Sequence, residues 1–188
     1  MGTRKETEAY QEMLREELEE GIVILIQQDQ VKWWKHIFLI RKPNGTWRKI
    51  LDASKLNKEI EKLNFKMLGL EEVQYLANQI DYATLLDLKS AFHPNTVFSN
   101  SIPYLAINFI NNNYAYKTMP FGTKHSPVFF TEAIESILRQ IRIHSEIKIL
   151  NYCDDILGIH QNKQIHETQI IEILETLEQF RWTMSTEK

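Results

Sequence analysis

The stretch IKILNYCDDILGIH, residues 147–160, carries two short apolar runs that flank two adjacent carboxylates, Asp154 and Asp155. Each run has the length and branched-aliphatic content of a strand, and the polar step between them is where a tight turn belongs. The segment therefore predicts a hairpin with both acids at its tip. Like charges side by side repel, and neither acid has a cation next to it in the sequence. Two readings are open: a solvated turn, or a pair of acids that holds something positive.

Working outward, the same kind of pattern recurs. ATLLDLKSAF (83–92) begins as a buried strand with Asp87 near its end, then turns irregular or helical. HIFLIRKPNGTWRKILDAS (36–54) reads as two strands around Pro43-Asn44-Gly45, and an Asn-Gly step is a strong hairpin signal. YLAINFINNNYAYKTM (104–119) predicts another hairpin, turning at Asn111-Asn112-Asn113. Helices are predicted for ETEAYQEMLREELEEG (6–21), stopping at Gly21, for LEEVQYLANQI (70–80), and for HETQIIEILETLEQF (166–180). SPVFFTEAIESILRQIRI (126–143) predicts a helix with Ser126 at the N-cap and Pro127 just inside it. Its buried stripe is Phe130, Ile134, Ile137, Leu138 and Ile141. Hairpin-linked strands mixed with helices predict an α+β fold with a mainly antiparallel sheet.

The 188 residues have the size of one domain, and no repeat, low-complexity tract or linker divides them. A hydrophobic fraction of 43% and a charged fraction of 25% fit an ordinary globular protein. No apolar run is long enough for a membrane span, and the polar start predicts no secretory signal. The lone Cys153 excludes an internal disulfide and suits a reducing, intracellular compartment, cytoplasmic or nuclear. A net charge of −3 conceals an uneven distribution. Residues 1–20 hold three basic and seven acidic side chains, whereas 31–66 hold ten basic and three acidic. A basic block in an acidic chain predicts a local polyanion-facing surface, the bland alternative being a solvated lysine-rich face.

Asp87 at a strand end and Asp154-Asp155 at a hairpin tip can gather at one edge of a sheet. Three carboxylates there are costly unless a cation neutralises them, and oxygen ligands suit Mg²⁺ or Mn²⁺. Two such ions about 4 Å apart are the usual arrangement for in-line attack at phosphorus. RKPNGTWRK (41–49) would place Arg41, Lys42, Arg48 and Lys49 on a projecting arm able to close over a triphosphate. MPFGTKHSP (119–127) would let backbone approach a ligand at Gly122.

At this point the motifs resemble a known family. LLDLKSAF, MPFGTKHSPVFFTEAI and LNYCDDIL stand in the order and at about the spacing of motifs A, B and C of reverse transcriptases. FLIRKPNGTWRKILDASKLN resembles the fingers segment that precedes motif A, so the likeness spans about residues 21–188. The style of these blocks is similar to that of retrotransposon enzymes, the DIRS type among them. The resemblance implies a right-hand polymerase fold with an antiparallel palm sheet and a fingers subdomain. The chain is expected to form one such domain, residues 21–86 mainly fingers and 87–188 mainly palm, with the thumb absent.

The resemblance also implies roles. Asp87, Asp154 and Asp155, with the backbone carbonyl of Leu88, would bind two Mg²⁺ or Mn²⁺ ions. Lys42 and Arg48 would hold the dNTP phosphates, and Phe121 and Gly122 would line the pocket beneath base and sugar. Phe92 would block a ribose 2′-hydroxyl, its bland role being core filling. Tyr152 and Cys153 would touch the primer end and the new nucleotide, and Lys188 would serve as general acid for pyrophosphate. Implied partners are an RNA or DNA template with its primer, and dNTP. Oligomeric state is left open. Pro94, in HPNTVFSN (93–100), departs from the alternating strand usual there, since proline removes a ladder donor. Ser54 stands where viral relatives often carry arginine. A catalytically inactive descendant that binds nucleic acid or protein is the first alternative. A metal-dependent phosphodiesterase using the same acids is the second, though it leaves Phe92 and the Asn-Gly hairpin without a role.

Overall fold

The computed structural model describes residues 3–64, 82–89, 92–152 and 155–185. The predicted helix over 70–80, and the side chains of Cys153, Asp154 and Lys188, lie outside these residues. By backbone contacts the chain forms two compact units. Unit 1 comprises Met1–Lys62 and Asn95–Ser126, and unit 2 comprises Leu63–Pro94 and Pro127–Lys188. The chain thus enters each unit twice.

Unit 1 opens with α1 (Arg4–Glu19), started by a reciprocal box in which Thr3 Oγ1 accepts from the Glu6 amide and Glu6 answers at the Thr3 amide. The helix ends where the sequence places its stop, at Gly21, whose φ of +70° is open to glycine. Strands β1 (Val23–Leu25), β2 (Trp34–Arg41) and β3 (Trp47–Asp52) and helix α2 (Ser54–Glu59) follow. Strands β5 (Ala106–Phe109) and β6 (Asn112–Tyr116) complete a five-stranded sheet of order β1-β6-β5-β2-β3. The sheet is antiparallel except for β2 beside β5, where Trp34 pairs with Ala106 and Lys35 with Ile107 in parallel. Tyr10 and Leu14 of α1 close its core over Val23, Leu51, Ile107, Phe109 and Tyr116, and the Tyr10 ring meets Phe109 edge-on at 4.6 Å.

Three local expectations are corrected in unit 1. The β5–β6 turn is Ile110-Asn111, not Asn111–Asn113, because a two-residue hairpin loop demands left-handed backbone at both positions, here φ of 44° and 63°. Asn112 and Asn113 pair with Phe109 and Asn108 within the ladder. Lys49 is not on the solvent side of the basic arm. Alternation along β3 turns it inward, where it pairs with Glu17 of α1 and lies 5.1 Å from the Tyr116 ring centroid. Finally, helix α3 (Ser126–His144) starts at Ser126 itself, and that hydroxyl donates backward to the Pro120 carbonyl at 2.7 Å.

Unit 2 contains β4 (Tyr82–Lys89), α3, β7 (Lys148–Tyr152), β8 (Asp155–His160), α4 (Lys163–Gln179) and β9 (Thr183–Met184). Its sheet has the order β7-β8-β4-β9 and is antiparallel throughout. Asn162 caps α4 by accepting from the amides of Gln164 and Ile165. One face of the sheet is covered: Leu86, Leu88, Ile149 and Ile156 are buried there with Phe130, Ile134 and Leu138 of α3 and Ile173 and Leu177 of α4. The predicted α3 stripe is observed, with Ile141 half-buried at its end. Where Gly158 lies in this face, a Cβ would come within 2.6 Å of Ile170 Cδ1, so helix and sheet are in close contact.

Candidate active site

Side chains directly opposite in an antiparallel ladder share a face. Tyr152 pairs with Asp155 across β7–β8, and Asp155 pairs with Asp87 across β8–β4. The three form one row on the open face of the unit 2 sheet, at the strand ends. Tyr152 is 50% exposed, and both carboxylates are half-buried. The predicted hairpin is present, β7 and β8 being joined across residues 153–154.

Two like charges directly opposed destabilise a ladder unless something neutralises them. Among the described residues no lysine or arginine pairs with Asp87 or Asp155. The backbone adds a further oxygen. The Asp87 carbonyl accepts from the Ser185 amide at 2.8 Å, on the β9 side. Successive carbonyls of a strand point to opposite edges, so that of Leu88 faces the β8 side, past the last pair of the ladder, Asp87–Asp155. A set of carboxylate and carbonyl oxygens fits a hard divalent cation such as Mg²⁺ or Mn²⁺. The described residues hold two of the predicted acids, the third, Asp154, lying outside them. Phe92 is 7% exposed and packs on Phe130, their centroids 5.2 Å apart.

Lys42, Arg48, Phe121 and Gly122 belong to unit 1. Arg48 is exposed on the outward face of the β2–β3 hairpin, opposite Ile40, and Lys42 follows β2 at the turn. Phe121 is 62% exposed. Gly122 has a φ of +104°, and a Cβ there would lie 2.9 Å from the Leu51 carbonyl oxygen, so glycine is required on both counts. This loop is held by a residue that sequence reasoning missed. Asn57 of α2 donates from Nδ2 to the Gly122 carbonyl at 2.9 Å and accepts at Oδ1 from the Lys124 amide at 2.8 Å. Lys124 Nζ returns to the carbonyls of Ile60 and Asn57. Asn57 stands within the fingers-like block, but nothing local announces contacts across more than sixty residues.

No helix among the described residues is long and apolar enough to cross a membrane. The family model described as reverse transcriptase (RNA-dependent DNA polymerase) matches residues 40–188. The Pol polyprotein of caprine arthritis encephalitis virus (strain Cork) is 29% identical over 161 residues, covering 81% of this chain and 14% of the polyprotein. The retrovirus-related Pol polyprotein from transposon opus of Drosophila melanogaster is 28% identical over 149 residues, covering 78% of this chain and 15% of that protein. This chain therefore spans a small part of the curated relatives it matches. In fold it is similar to the crystal structure of prototype foamy virus protease-reverse transcriptase, with a TM-score of 0.86 at 22% identity over 99% of this chain and 24% of that one. A fingers–palm α+β fold, the motif order read from the sequence and a family match over most of the length lead to one conclusion: the chain belongs to the reverse transcriptase family.

Proposed function

We propose that this chain carries the polymerising centre of an RNA-directed DNA polymerase, in which a primer 3′-hydroxyl attacks the α-phosphorus of a dNTP and pyrophosphate leaves. Unit 1 would be the fingers and unit 2 the palm. The observation that carries this reading is the opposed pair Asp87–Asp155 at the ends of β4 and β8, with no cationic side chain paired to it among the described residues. Asp87, Asp154 and Asp155, with the Leu88 carbonyl, would hold two Mg²⁺ or Mn²⁺ ions. When bound, the ions supply a lower pKa at the primer hydroxyl and neutralise charge on the leaving group.

The remaining roles fall to this chain's own side chains. Arg48, with a forked guanidinium in solvent, and Lys42 hold the β- and γ-phosphates. Phe121 and Gly122 lie beneath base and sugar, with Asn57 keeping that loop in place. Phe92, held against Phe130, excludes a 2′-hydroxyl. Tyr152 and Cys153 meet the primer end, and Lys188 protonates pyrophosphate. Binding to template and primer is mostly to phosphate and sugar, hence salt-sensitive and nearly independent of sequence.

Primer extension on poly(rA)/oligo(dT) with Mg²⁺ or Mn²⁺ tests the reading, beside Asp154→Asn with Asp155→Asn as control. Extension by the parent and at least a thousandfold loss in the control is the expected result. Magnesium-dependent dNTP binding that survives unchanged in the double variant would overturn the site. A folded parent that binds primer–template without extending it would instead mark a binding domain descended from the enzyme.

A further inference from the structure

A groove on unit 1 that uses none of the residues assigned to the reaction has the chemistry of a docking site. It lies between α1 and the β5–β6 hairpin and encloses about 500 Å³. Its floor is apolar: Leu14, Phe109 and Tyr114 are buried, with Leu18 half-buried beside them. On the helix side Glu8, Glu12, Arg15 and Leu18 recur at helical spacing, so they form one stripe about 15 Å long. On the hairpin side Ile110 stands at the mouth. It is 58% exposed and holds a φ of 44°, in the left-handed region. A branched side chain is strained there, whereas asparagine or glycine is at ease. Register does not require isoleucine, since asparagine at 110 would form the same two-residue turn and keep Phe109 paired with Asn112. What isoleucine adds is an aliphatic side chain in solvent beside an apolar cavity. Strain kept at such a position points to a use for that side chain.

The charge around the groove is one-sided. From Glu6 to Glu20 the chain carries seven glutamates and one arginine, Glu17 being turned inward to Lys49. Arg15 is shared between Glu12 and Glu19, and Arg4 takes Glu8 at 2.8 Å. These pairs are largely exposed and therefore weak. The hairpin, residues 106–116, contributes no charged side chain. A ligand in this groove meets apolar surface below and a surplus of carboxylates along one side, so complementarity calls for a positive charge of its own. A stripe of this length beside an apolar floor suits an amphipathic helix, which presents anchors at i, i+3 or i+4, and i+7.

We propose that this groove docks a basic amphipathic helix of a partner protein. Aliphatic side chains of that helix rest on Leu14, Phe109 and Ile110, and its lysines or arginines face Glu8 and Glu12. The apolar floor supplies affinity, and the glutamates select partners by charge and speed their approach.

Fluorescence anisotropy with the full chain tests it, using a labelled synthetic helix of leucine and lysine that carries one apolar stripe. Two further peptides serve as controls, one of the same composition with the stripe scrambled and one with glutamate in place of lysine. The striped basic peptide is expected to bind at least tenfold tighter than either at about 0.15 M salt. Glu8→Lys with Glu12→Lys should weaken it tenfold or more. Ile110→Asn should weaken it severalfold while raising the midpoint of thermal unfolding, because left-handed strain is relieved. Weaker binding by a more stable chain separates docking from folding. Asp155→Asn should leave the affinity unchanged, so a failed polymerase assay leaves this test standing. Sedimentation velocity examines a second copy as occupant: a dimer that Ile110→Asn dissociates would assign the groove to self-association and overturn the proposal. Equal affinity for the striped and scrambled peptides, or binding by Ile110→Asn equal to that of the parent, would overturn it as well.

Discussion

Beneath α1 in unit 1, the inward side of the sheet carries charge: Lys49 pairs with Glu17, and Tyr10 and Tyr116 bring hydroxyls into the core. In unit 2 the covered side is filled by Phe130, Ile134, Leu138, Ile156, Ile173 and Leu177, with Asn151 and His166 buried among them. Unit 2 keeps its carboxylates on the other face, at the strand ends. The difference has a physical consequence. Burial raises the Glu17 carboxyl and lowers the Lys49 ammonium, each against the pull of its partner, so desolvation outweighs attraction within the pair. Burial likewise raises Tyr10 and Tyr116, with Glu17 adding to the effect in both. Unit 1 is held in part by groups that resist burial and unit 2 by groups that favour it.

Substitution and pH both offer ways to break or sharpen that contrast. The largest effect should come from Glu17→Ala, which strands the buried Lys49 ammonium and should cost about 3–5 kcal/mol in denaturant unfolding. If the pair is a burden, Glu17→Leu with Lys49→Met should be neutral or stabilising by about 1–4 kcal/mol. A comparable loss from the double variant would show the pair to be a net stabiliser. In unit 2, Leu138→Ala should cost about 2–5 kcal/mol through a cavity alone, and no compensating partner substitution should restore it.

Gly122→Ala sets a new Cβ against the Leu51 carbonyl in a left-handed backbone, and should cost about 1–3 kcal/mol. Asn57→Ala combined with it should be less than additive if the two act on the same loop. The smallest effect concerns pH. Lys35 is lowered from 10.5 to about 8 in the folded chain, so above pH 8 the unfolded chain retains a proton that the folded one has released. Stability from this group therefore rises as pH goes from about 8 toward 10.5. The gap in unfolding midpoint between Lys35→Met and parent should narrow between pH 7.5 and 9.5, and a constant gap would refute the shift.

Much of the fold was legible because its signals are local. The Asn-Gly step, the aliphatic runs on either side of Asp154-Asp155 and the helical spacing of Phe130, Ile134 and Leu138 each act within a few residues. Where the reading failed, two local rules competed. Three consecutive asparagines pointed to a turn, but the two-residue loop put Ile110 in it and paired Asn112 and Asn113 instead. Four basic residues around residue 45 pointed to an arm, but period-two alternation sent Lys49 inward beside Leu51.

By itself the sequence determined the β2–β3 and β7–β8 hairpins, strand β4, the long helices α1, α3 and α4, and which family's motifs they match, and it placed Asp87 and Asp155 near strand ends. Tertiary structure alone decided that Asp87 faces Asp155 across β4–β8, that Asn57 holds the Gly122 loop, and that Lys35 is enclosed beside Trp33. Turn chemistry and side-chain periodicity work over a handful of residues and can be read along the chain. Strand register and the partners of a buried charge depend on which remote surfaces exclude water together, and that is settled when the sheets close.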